Sequence, residues 1–319
     1  MSVLDTEGID WDGLRRLRRG FLEASSGHGS YWDSTAALHD YDRTFGERIG
    51  WKWDHVLDEL EVRGWRPPSG LVLDWGCGSG VAGRRVMDRF PGSGPLSCVD
   101  RSPRAEEYAR RRAVDEGFEV VDGGPPTTLV LSHVIGEIDE TGRERLIEMA
   151  RAATAVVWVE PGDHRSSRSL VEVRERLVGA MTVVAPCTHQ EVCGLLAEGN
   201  ERHWCHHFAA PPPEVFTDPG WGRFTSETGI DLRSVPLSFL VLDSRPTPVL
   251  GADAVHTIGR PRIYKPEARV FGCDASGVAD VRITKRRLPD VYRQAKKGSL
   301  PTLARWRCEG DEVVDWTSS

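Results

Sequence analysis

The chain has 319 residues, a net charge of −7, 39% hydrophobic and 28% charged residues, which is typical of a globular protein with one large domain or two ordinary ones. No run approaches the ~18 apolar residues of a membrane-spanning helix. The first residues, MSVLDTEGIDWDGL, contain early acids and lack the apolar core of a secretory signal. We therefore expect a cytoplasmic protein with neither a membrane nor DNA among its partners. Its seven cysteines, an odd number, argue against a secreted disulfide framework.

Residues 1–66 are predicted to form a helical region. The segments GLRRLRRGFLEA and YDRTFGERIGWKWDHVLDELEVRGW mix charged and apolar residues at helical spacing. One stripe of side chains would face a core, and its members are Trp51, Trp53, Val56, Leu57 and Leu60. Ordinary core packing is the preferred interpretation of these tryptophans. The segment RPPSG, residues 66–70, would end the last helix.

Residues 67–248 alternate short apolar runs with amphipathic stretches. This alternation predicts an α/β fold of the Rossmann-like, doubly wound type with a parallel sheet. The expected strands are 71–73, 96–100, 128–133, 155–160 and 238–244, and the expected helices are 141–153 and 166–180. A cysteine-rich segment, residues 187–208, would be an insertion in this domain.

The first of these strands leads into a glycine-rich turn, LDWGCGSG, residues 73–80, and a helical pattern begins at Val81. Glycines allow the backbone to turn tightly and to approach a ligand closely. The N-terminus of the following helix favours a carboxylate or phosphate. The second strand ends at Asp100, where an acid is placed to hydrogen-bond ribose hydroxyls.

The LDWGCGSG signature resembles motif I of the class I S-adenosylmethionine-dependent methyltransferases. The resemblance implies S-adenosylmethionine as cofactor, bound by Asp74, Gly76, Gly78 and Gly80 of the signature, with Asp100 at the ribose. A nicotinamide-binding dehydrogenase is the rival interpretation, but such enzymes usually lack an acid at the position of Asp74. A Rossmann-like domain that has lost its cofactor is the third.

The strand that ends at Ser132 bears on what would be methylated. Many amine methyltransferases carry an N/D-P-P-Y/F motif there, whereas this chain has SHVIGE, residues 132–137. This difference argues against base N-methylation. His133 is expected beside the cofactor, and with Glu137 it would serve either acid–base chemistry or a structural role. Pro186-Cys187 resembles the nucleophile motif of RNA cytosine-C5 methyltransferases, but it lies one strand and one helix too late. No catalytic residue is assigned.

The segment CTHQEVCGLLAEGNERHWCHHF, residues 187–208, contains three cysteines and four histidines. The cysteines have the spacing Cys187-x5-Cys193-x11-Cys205. A Cys3His zinc site is one interpretation, although the short x2 spacing of zinc knuckles is missing. An iron–sulfur cluster is another, with Cys273 as the fourth thiolate. Separate, unligated thiols are the third.

Residues 249–319 are predicted to form a small, β-rich, basic C-terminal domain with a tail. From residue 260 to residue 307 there are 13 Lys and Arg against 4 Asp and Glu, a local charge of about +9. The stretch VRITKRR would be a half-exposed strand whose Arg282, Lys285, Arg286 and Arg287 bind nucleic-acid phosphates. A solvated basic face is the alternative. Residues 294–303 are expected to be a loose basic tail.

Five segments in order, LVLSHVIGEI, VVWVEPG, SLVEVRERL, VVAPCTHQEVC and HWCHHF, resemble the methyltransferase-like proteins of the ribosomal small subunit. These are mitochondrial small-subunit assembly factors and their bacterial relatives, and the resemblance runs from Tyr31 to Arg293. It implies a class I methyltransferase fold and a role in small-subunit assembly on its rRNA. It also implies a [4Fe–4S] cluster, and the four ligands carried over are Cys187, Cys193, Cys205 and Cys273.

Two departures from the family pattern stand in the cysteine segment. Thr188 and Gly194 occupy positions where the family usually has proline, and HWCHHF has one extra histidine. Two functions from different classes follow. The first is an rRNA-binding assembly factor that uses the methyltransferase fold as a scaffold. The second is an active RNA methyltransferase, and a zinc-containing methyltransferase of small molecules is a third hypothesis.

Overall fold

The computed structural model of the chain describes residues 3–23, 32–247, 250–251 and 253–318. Tyr31, where the family resemblance begins, lies outside the described residues. The chain divides into two compact units. Unit 1 comprises Met1–Leu57, Arg66–Glu160 and Ala209–Val235, and unit 2 comprises Asp58–Trp65, Pro161–Phe208 and Pro236–Ser319. Over the described ranges, no helix has the length and apolar character that a bilayer span requires.

The N-terminal part is helical, as predicted. Its elements are α1 (Trp11–Glu23), α2 (Thr35–Tyr41), a π-helical turn (Asp42–Gly46) and α3 (Glu47–Val62). The predicted apolar stripe of α3 is confirmed, because all five of its side chains are at most 2% exposed. The rings of Trp51 and Trp221 are in contact, with centroids 4.9 Å apart. These tryptophans therefore form part of the core.

Unit 1 contains a parallel sheet that confirms the predicted Rossmann-like fold class. Its strands are β1 (Val72–Trp75), β2 (Leu96–Val99), β3 (Thr128–Ser132) and β4 (Ala155–Pro161). Helices α4 (Val81–Arg89), α5 (Pro103–Asp115) and α6 (Glu140–Ala152) connect them. The order is β2-β1-β3-β4. The chain moves from β1 to one side and then returns to β3 on the other, so the carboxyl ends of these two strands form a switch point where ligands bind.

Residues 162–243 contain two helices, two 3-10 turns and three strands, the last of which is long. Helix α7 (His164–Leu177) leads to β5 (Thr182–Ala185), and the cysteine-rich segment follows with a 3-10 turn (Gly194–Leu196) and β6 (His207–Ala209). A second 3-10 turn (Pro213–Phe216) and α8 (Pro219–Thr228) precede β7 (Val235–Asp243). Strand β7 runs antiparallel to β5. The predicted strand at 238–244 is confirmed by the position of β7, but β7 does not run parallel to β5 as the predicted fold would have it.

The C-terminal part of unit 2 is a closed five-stranded barrel. Its elements are β8 (Ala254–Ile263), β9 (Glu267–Asp274), β10 (Gly277–Thr284), α9 (Pro289–Lys297), β11 (Leu303–Glu309) and β12 (Glu312–Ser318). The strand order is β10-β12-β11-β8-β9. A side chain at Gly272 would place its Cβ 2.1 Å from the Trp306 ring, so the barrel interior requires glycine there.

The expectation of a loose tail over residues 294–303 is wrong. Residues up to Lys297 belong to α9, and Leu303 begins β11. Tyr292 and Ala295 on one face of α9 are buried in the barrel core with Val270 and Ile283. The two lysines of this stretch, Lys296 and Lys297, obscure its amphipathic pattern, because both lie on the exposed face of the helix.

Candidate functional site

The glycine-rich turn between β1 and α4 has the backbone conformation that its sequence predicts. Gly76, Gly78 and Gly80 have φ angles of +68°, +54° and +77°, in the left-handed region that disfavours other residues. A Cβ on Gly76 would lie 2.7 Å from Cγ1 of Val134, and a Cβ on Gly80 would lie 2.7 Å from Cβ of Ala109. Both glycines therefore permit close approach of neighbouring elements as well as the turn itself.

A cavity of about 380 Å3 opens at the switch point, between the carboxyl ends of the unit 1 strands. Four of the residues predicted to bind the cofactor line it, and these are Gly76, Gly78, Asp100 and His133. Trp32 and Tyr41 contribute aromatic surface to the same cavity, and their rings are in edge-to-face contact at 5.0 Å. The volume and the mixture of apolar walls with a few polar groups suit a small organic cofactor.

Asp74 and Gly80, also predicted to bind the cofactor, are not among the residues that line this cavity. The Asp74 side chain is fully buried, and its Oδ2 accepts a 2.9 Å hydrogen bond from the Gly83 amide in α4. Burial raises the pKa of Asp74 to about 7. Its place in the structure is that of a residue that holds the start of α4 against β1. Asp74 therefore supports the glycine-rich turn through α4 and does not line the cavity.

Asp100 lies where the sequence predicts, immediately after β2. Its Oδ2 accepts from the Gly78 amide at 2.9 Å, and its Oδ1 accepts from the Ser102 amide at 2.8 Å. These bonds hold the carboxylate at the edge of the cavity and join it to the glycine-rich turn. Because a carboxylate oxygen accepts more than one hydrogen bond, the group retains capacity for vicinal hydroxyls of a ribose. The residues present therefore fit a nucleoside cofactor.

His133 follows β3 and has φ +58°, the one described residue other than glycine with a positive φ. Its Nε2 lies 2.8 Å from Nζ of Lys52, and its Nδ1 lies 3.2 Å from Oγ of Ser132. Burial and the nearby positive charges of Lys52 and Arg48 lower the pKa of His133 well below its ordinary value. A neutral ring that accepts from Lys52 must carry its proton on Nδ1. Strained residues of this kind concentrate at functional sites.

Glu160, at the end of β4, fixes the loop that carries His133. Its Oε1 accepts hydrogen bonds from the amides of Val134 and Ile135, both at 3.0 Å, and from Nε1 of Trp158 at 2.6 Å. Burial nevertheless raises the pKa of Glu160 to about 7. The sequence predicted no role for Glu160 or Lys52. The sequence signal for Glu160 is its position as an acid at the end of a fully apolar strand. Lys52 has no such signal, because its partner His133 lies 81 residues away in the sequence.

The second candidate site lies in unit 2. The side chains of Cys187, Cys193, Cys205 and Cys273 line one small cavity. The first three belong to the cysteine-rich segment between β5 and β6, and Cys273 lies on barrel strand β9. Three of the thiols are buried and that of Cys205 is partly buried. The structure thus brings together the four cysteines that the sequence analysis selected.

Imidazoles surround these thiols. Nε2 of His256 lies 3.6 Å from Sγ of Cys205, Nε2 of His207 lies 3.8 Å from the same sulfur, and Nε2 of His189 lies 3.7 Å from Sγ of Cys273. One ligand atom each from Cys205, His207 and His256 lies within 4.8 Å of the others, an arrangement able to hold a metal ion. His256 and Cys273 are direct partners across β8 and β9, so the barrel register places them side by side.

The chemistry of the donor set fits a thiophilic metal centre. Burial, followed by the neighbouring Cys187, raises the pKa of Cys193 to about 11. The same two causes raise the pKa values of Cys205 and Cys273. Thiolates crowded in this way are stabilised by a cation between them, and metal binding displaces their protons. Sulfur ligands select zinc, copper(I) or iron–sulfur clusters.

Two buried arginines fix the backbone of the cysteine-rich segment. Arg63 donates to the carbonyls of Val184 and Pro186, both at 2.8 Å. Arg174 donates to the carbonyls of His189 and Glu191 at 3.2 and 2.9 Å. Arg174 occupies the apolar stripe of α7 and is only 2% exposed, and an arginine on such a stripe is a sequence signal for a buried polar role, although none was predicted for it. The sequence contains no comparable indication for Arg63.

The barrel carries the predicted basic residues, but they differ in their surroundings. Arg282 is enclosed by carboxylates, since it pairs with Glu267, Asp311 and Glu312. Its expected role at a phosphate is therefore disfavoured. Arg287 lies 3.8 Å from Glu309. Lys285 and Arg286, in the turn after β10, are exposed and remain the best placed of the predicted phosphate contacts.

A family model described as "Mitochondrial small ribosomal subunit Rsm22" matches residues 54–300 of the chain. A curated relative, the ribosomal RNA small subunit methyltransferase H of Shewanella denitrificans, is 33% identical over 69 residues, 22% of this chain and 21% of that protein. The chain therefore spans about a fifth of the length of this relative.

Solved structures of methyltransferases are more distantly similar. The magnesium protoporphyrin IX methyltransferase of Synechocystis is 13% identical, with a TM-score of 0.40, over 75% of this chain and 92% of that one. A SAM-dependent methyltransferase of Aquifex aeolicus is 16% identical, with a TM-score of 0.37, over 50% of this chain and 94% of that one. These scores are low, so the fold assignment rests on the strand order and the glycine-rich turn.

Proposed function

Because the chain belongs to the Rsm22 family of the mitochondrial small ribosomal subunit, we propose that it binds small-subunit rRNA and acts in assembly of that subunit. In this proposal the Rossmann-like unit is a methyltransferase-type scaffold, and unit 2 holds a [4Fe–4S] cluster through Cys187, Cys193, Cys205 and Cys273. The observation that carries the proposal is that these four thiols, spread over 87 positions of the sequence, line one cavity.

The cluster has a structural role in this proposal. Cys193 and Cys273 are buried against Leu195 and Ile258 in one apolar group, so a centre bound there joins the cysteine-rich segment to the barrel. A site that forms only in the folded chain converts metal affinity into folding free energy. The buried arginines Arg63 and Arg174 donate to backbone carbonyl groups in and beside the same segment and would thereby limit the positions that its thiols can take.

Metal analysis of protein purified without oxygen tests the cluster. We expect about four iron and four sulfide ions per chain in the wild type, with a visible charge-transfer absorbance. The Cys273→Ser variant should lose both ions and the absorbance. Cys308→Ser is the matched control, because Cys308 is also a barrel-strand cysteine but lies outside the cavity. Stoichiometric zinc without sulfide would contradict the cluster.

The proposed rRNA contact is a group of exposed basic side chains on the barrel, and its members are Lys265, Lys285, Arg286, Lys296 and Lys297. Local hydrogen bonds bring these positions together. The Lys285 amide donates to the Pro266 carbonyl at 2.9 Å, and the Tyr292 hydroxyl of α9 donates to the Tyr264 carbonyl at 2.8 Å. Such a group would bind phosphates and make the affinity strongly dependent on salt.

A salt titration of binding to small-subunit rRNA tests this contact. The double variant Lys285→Ala, Arg286→Ala should weaken binding and reduce the slope of log K against log salt by roughly 1 for each removed charge. Arg233→Ala is the control, because Arg233 is exposed but bound to Asp231 in unit 1. If the control weakened binding as much per removed charge as the double variant does, binding would depend on the total charge of the protein and not on this group of residues.

S-adenosylmethionine is the cofactor that the unit 1 cavity would hold, and when bound it supplies an activated methyl group. Asp100 would meet its ribose, and the backbone of Gly76 and Gly78 would approach its methionine part. His133 lines the same cavity. Calorimetry with S-adenosylmethionine tests this, and Asp100→Ala should abolish measurable binding, whereas Asp122→Ala, at an exposed acid outside the cavity, should not.

A second candidate function is methyl transfer to rRNA. The observation that favours it is the strained His133, which lines the cavity and whose pKa is lowered by burial and then by the charge of Lys52. The ring would accept a proton from a target group at Nε2, and only once Lys52 has released that nitrogen, because Nδ1 carries the ring proton. Methyl incorporation into small-subunit rRNA from a deletion strain, with metal-replete protein, is the test. If no methyl group is incorporated under these conditions, rRNA binding is the one of the two functions that still stands.

A further inference from the structure

We propose that a cleft in unit 2 binds one unpaired base of RNA. The proposal rests on the rRNA-binding function above and adds a site that reads the base itself. The cleft has a volume of about 170 Å3. Its aromatic and basic residues are His203, Trp204, His206, Phe271, Arg260 and Arg262. Flat rings and guanidinium groups are the surfaces on which proteins stack single-stranded bases.

One side of the cleft is a rigid pair of rings. The rings of Trp204 and His206 are stacked, with centroids 4.7 Å apart and planes inclined by 24°. Nε1 of Trp204 donates a 2.9 Å hydrogen bond to the Gly162 carbonyl, and Nδ1 of His206 lies 3.0 Å from the Trp204 carbonyl. These bonds fix the orientation of both rings, so a base that stacks on them loses little free energy to ordering of the protein.

The barrel supplies the other aromatic surface. The ring of Phe271 on β9 lies 4.7 Å from that of His203, and the guanidinium of Arg262 lies 5.0 Å from the Phe271 centroid. A cation over an aromatic face is itself a surface for stacking. The cleft therefore combines apolar faces for a base with positive charge for the adjoining phosphate.

A bulge in β8 shapes the entrance of this cleft. The register of β8 against β9 shifts between Ile258 and Arg262, and Gly259 in this interval has φ +67°. A Cβ on Gly259 would lie 2.8 Å from Nε2 of His206, so only glycine allows the strand to approach the ring pair this closely. Bulges redirect side chains at functional sites. Here the redirected Arg260 lies over the Phe208 ring at 4.1 Å.

The charge of the cleft favours RNA over other ligands. None of the described residues that line it is acidic, and Arg260 contributes positive charge there, whereas Arg262 is ion-paired with Asp280. Nδ1 of His206 is engaged with the Trp204 carbonyl, so Nε2 is the ring atom that can accept a hydrogen bond from a base edge. Bases within a duplex are already stacked on each other. The site consequently requires a single-stranded loop or bulge, the usual target of sequence-dependent RNA recognition.

The test uses the full chain, purified without oxygen, and two labelled RNAs of equal length, a single-stranded oligonucleotide and a perfect hairpin. We expect Trp204→Leu and Phe271→Leu each to weaken single-strand binding about fivefold or more and to leave hairpin binding nearly unchanged. Phe216→Leu is the control, because Phe216 is a 54% exposed aromatic ring outside the cleft. Arg260→Gln should also weaken single-strand binding. Because Arg260 is exposed, this effect cannot be caused by disturbed core packing.

Photocrosslinking of a 4-thiouridine oligonucleotide gives a second readout. Adducts on the peptides that contain Trp204 or Phe271 are the expected result. Crosslinks confined to the basic turn at Lys285 and Arg286, with unchanged affinity of all three cleft variants, would overturn the base site while leaving rRNA binding in place. If the wild type binds neither RNA even at low salt, the proposed function itself fails.

Discussion

The imidazole of His256 lies with its Nε2 3.6 Å from Sγ of Cys205. The ring is only 1% exposed, and its Nδ1 has no hydrogen-bond partner among the described residues. Burial, with the charges of Arg63 and Arg174 among the further causes, lowers the pKa of His256 to about 3. A neutral ring placed in this way is stabilised most when its proton is on Nε2 and points at sulfur, because a buried donor without a partner is costly.

Replacement of His256 by leucine separates two roles for this ring. If the proposed cluster is present and His256 donates to one of its cysteine ligands, the variant should retain the metal but release it about 10 to 100 times more readily to a chelator. We also expect the reduction potential to become more negative, because hydrogen bonds to the sulfurs favour the reduced cluster. Chelator titration and spectroelectrochemistry provide the two measurements.

His164→Leu is the matched control for this variant. His164 is an exposed residue of unit 2 whose Nε2 lies 2.7 Å from the Glu201 carbonyl, away from the sulfur atoms. The control should leave both the potential and the chelator sensitivity unchanged. Complete loss of metal from His256→Leu alone would show instead that the ring is itself a ligand, in the arrangement with Cys205 and His207.

A glycine-to-alanine pair tests the cofactor turn. Gly76 and Gly123 both have positive φ angles, +68° and +54°, but only a Cβ on Gly76 meets a neighbour, Cγ1 of Val134 at 2.7 Å. Gly123→Ala should cost about 1–2 kcal/mol for its backbone conformation. Gly76→Ala should cost a further ~1–3 kcal/mol for overpacking and should also weaken S-adenosylmethionine binding. Urea denaturation and calorimetry measure these effects, and equal losses of stability would contradict the close packing of the turn.

The buried Glu160 predicts a dependence of stability on pH. Its folded-state pKa is about 7, above the ordinary value of 4.5, so the stability it contributes is complete below about pH 4.5 and is lost as the pH rises through 7. Between these values the wild type should lose up to about 3 kcal/mol relative to Glu160→Gln. The free energies of unfolding of both proteins, measured across this range, give the difference. Parallel pH curves would show that Glu160 stays charged in the fold.

After burial, the charge of Lys52 is the second cause that keeps the pKa of His133 low. In Lys52→Met the loss of the ammonium group should raise the pKa of His133, although burial, the largest cause of its depression, remains. Loss of the hydrogen bond should also destabilise the fold by about 1–3 kcal/mol. Ring-proton NMR titration measures the pKa. Ser132→Ala removes the neutral partner of the same ring and should shift that pKa less; the opposite order would contradict the charge effect.

Except for α5 (Pro103–Asp115) and α8 (Pro219–Thr228), which were not predicted, the local sequence pattern identified the strands and helices of unit 1 to within a few residues, because each kind of element has a characteristic periodicity. It also located Gly76, Gly78 and Asp100, whose roles follow from a turn and from a strand end. It did not separate Asp74 from these, although Asp74 binds the Gly83 amide under the turn. The direction of a side chain at a strand end depends on how the next helix packs.

The sequence by itself determined the Rossmann-like alternation, the conformation of the glycine-rich turn and a set of four cysteines with suitable chemistry. Tertiary structure alone decided that Cys273 stands beside His256 on paired barrel strands, and that Arg63, Arg174 and Lys52 lie buried at the two sites. The physical reason is the distance along the chain over which each kind of interaction acts. Backbone propensities and turns act over a few residues, whereas strand register and burial depend on contacts between segments far apart in the chain.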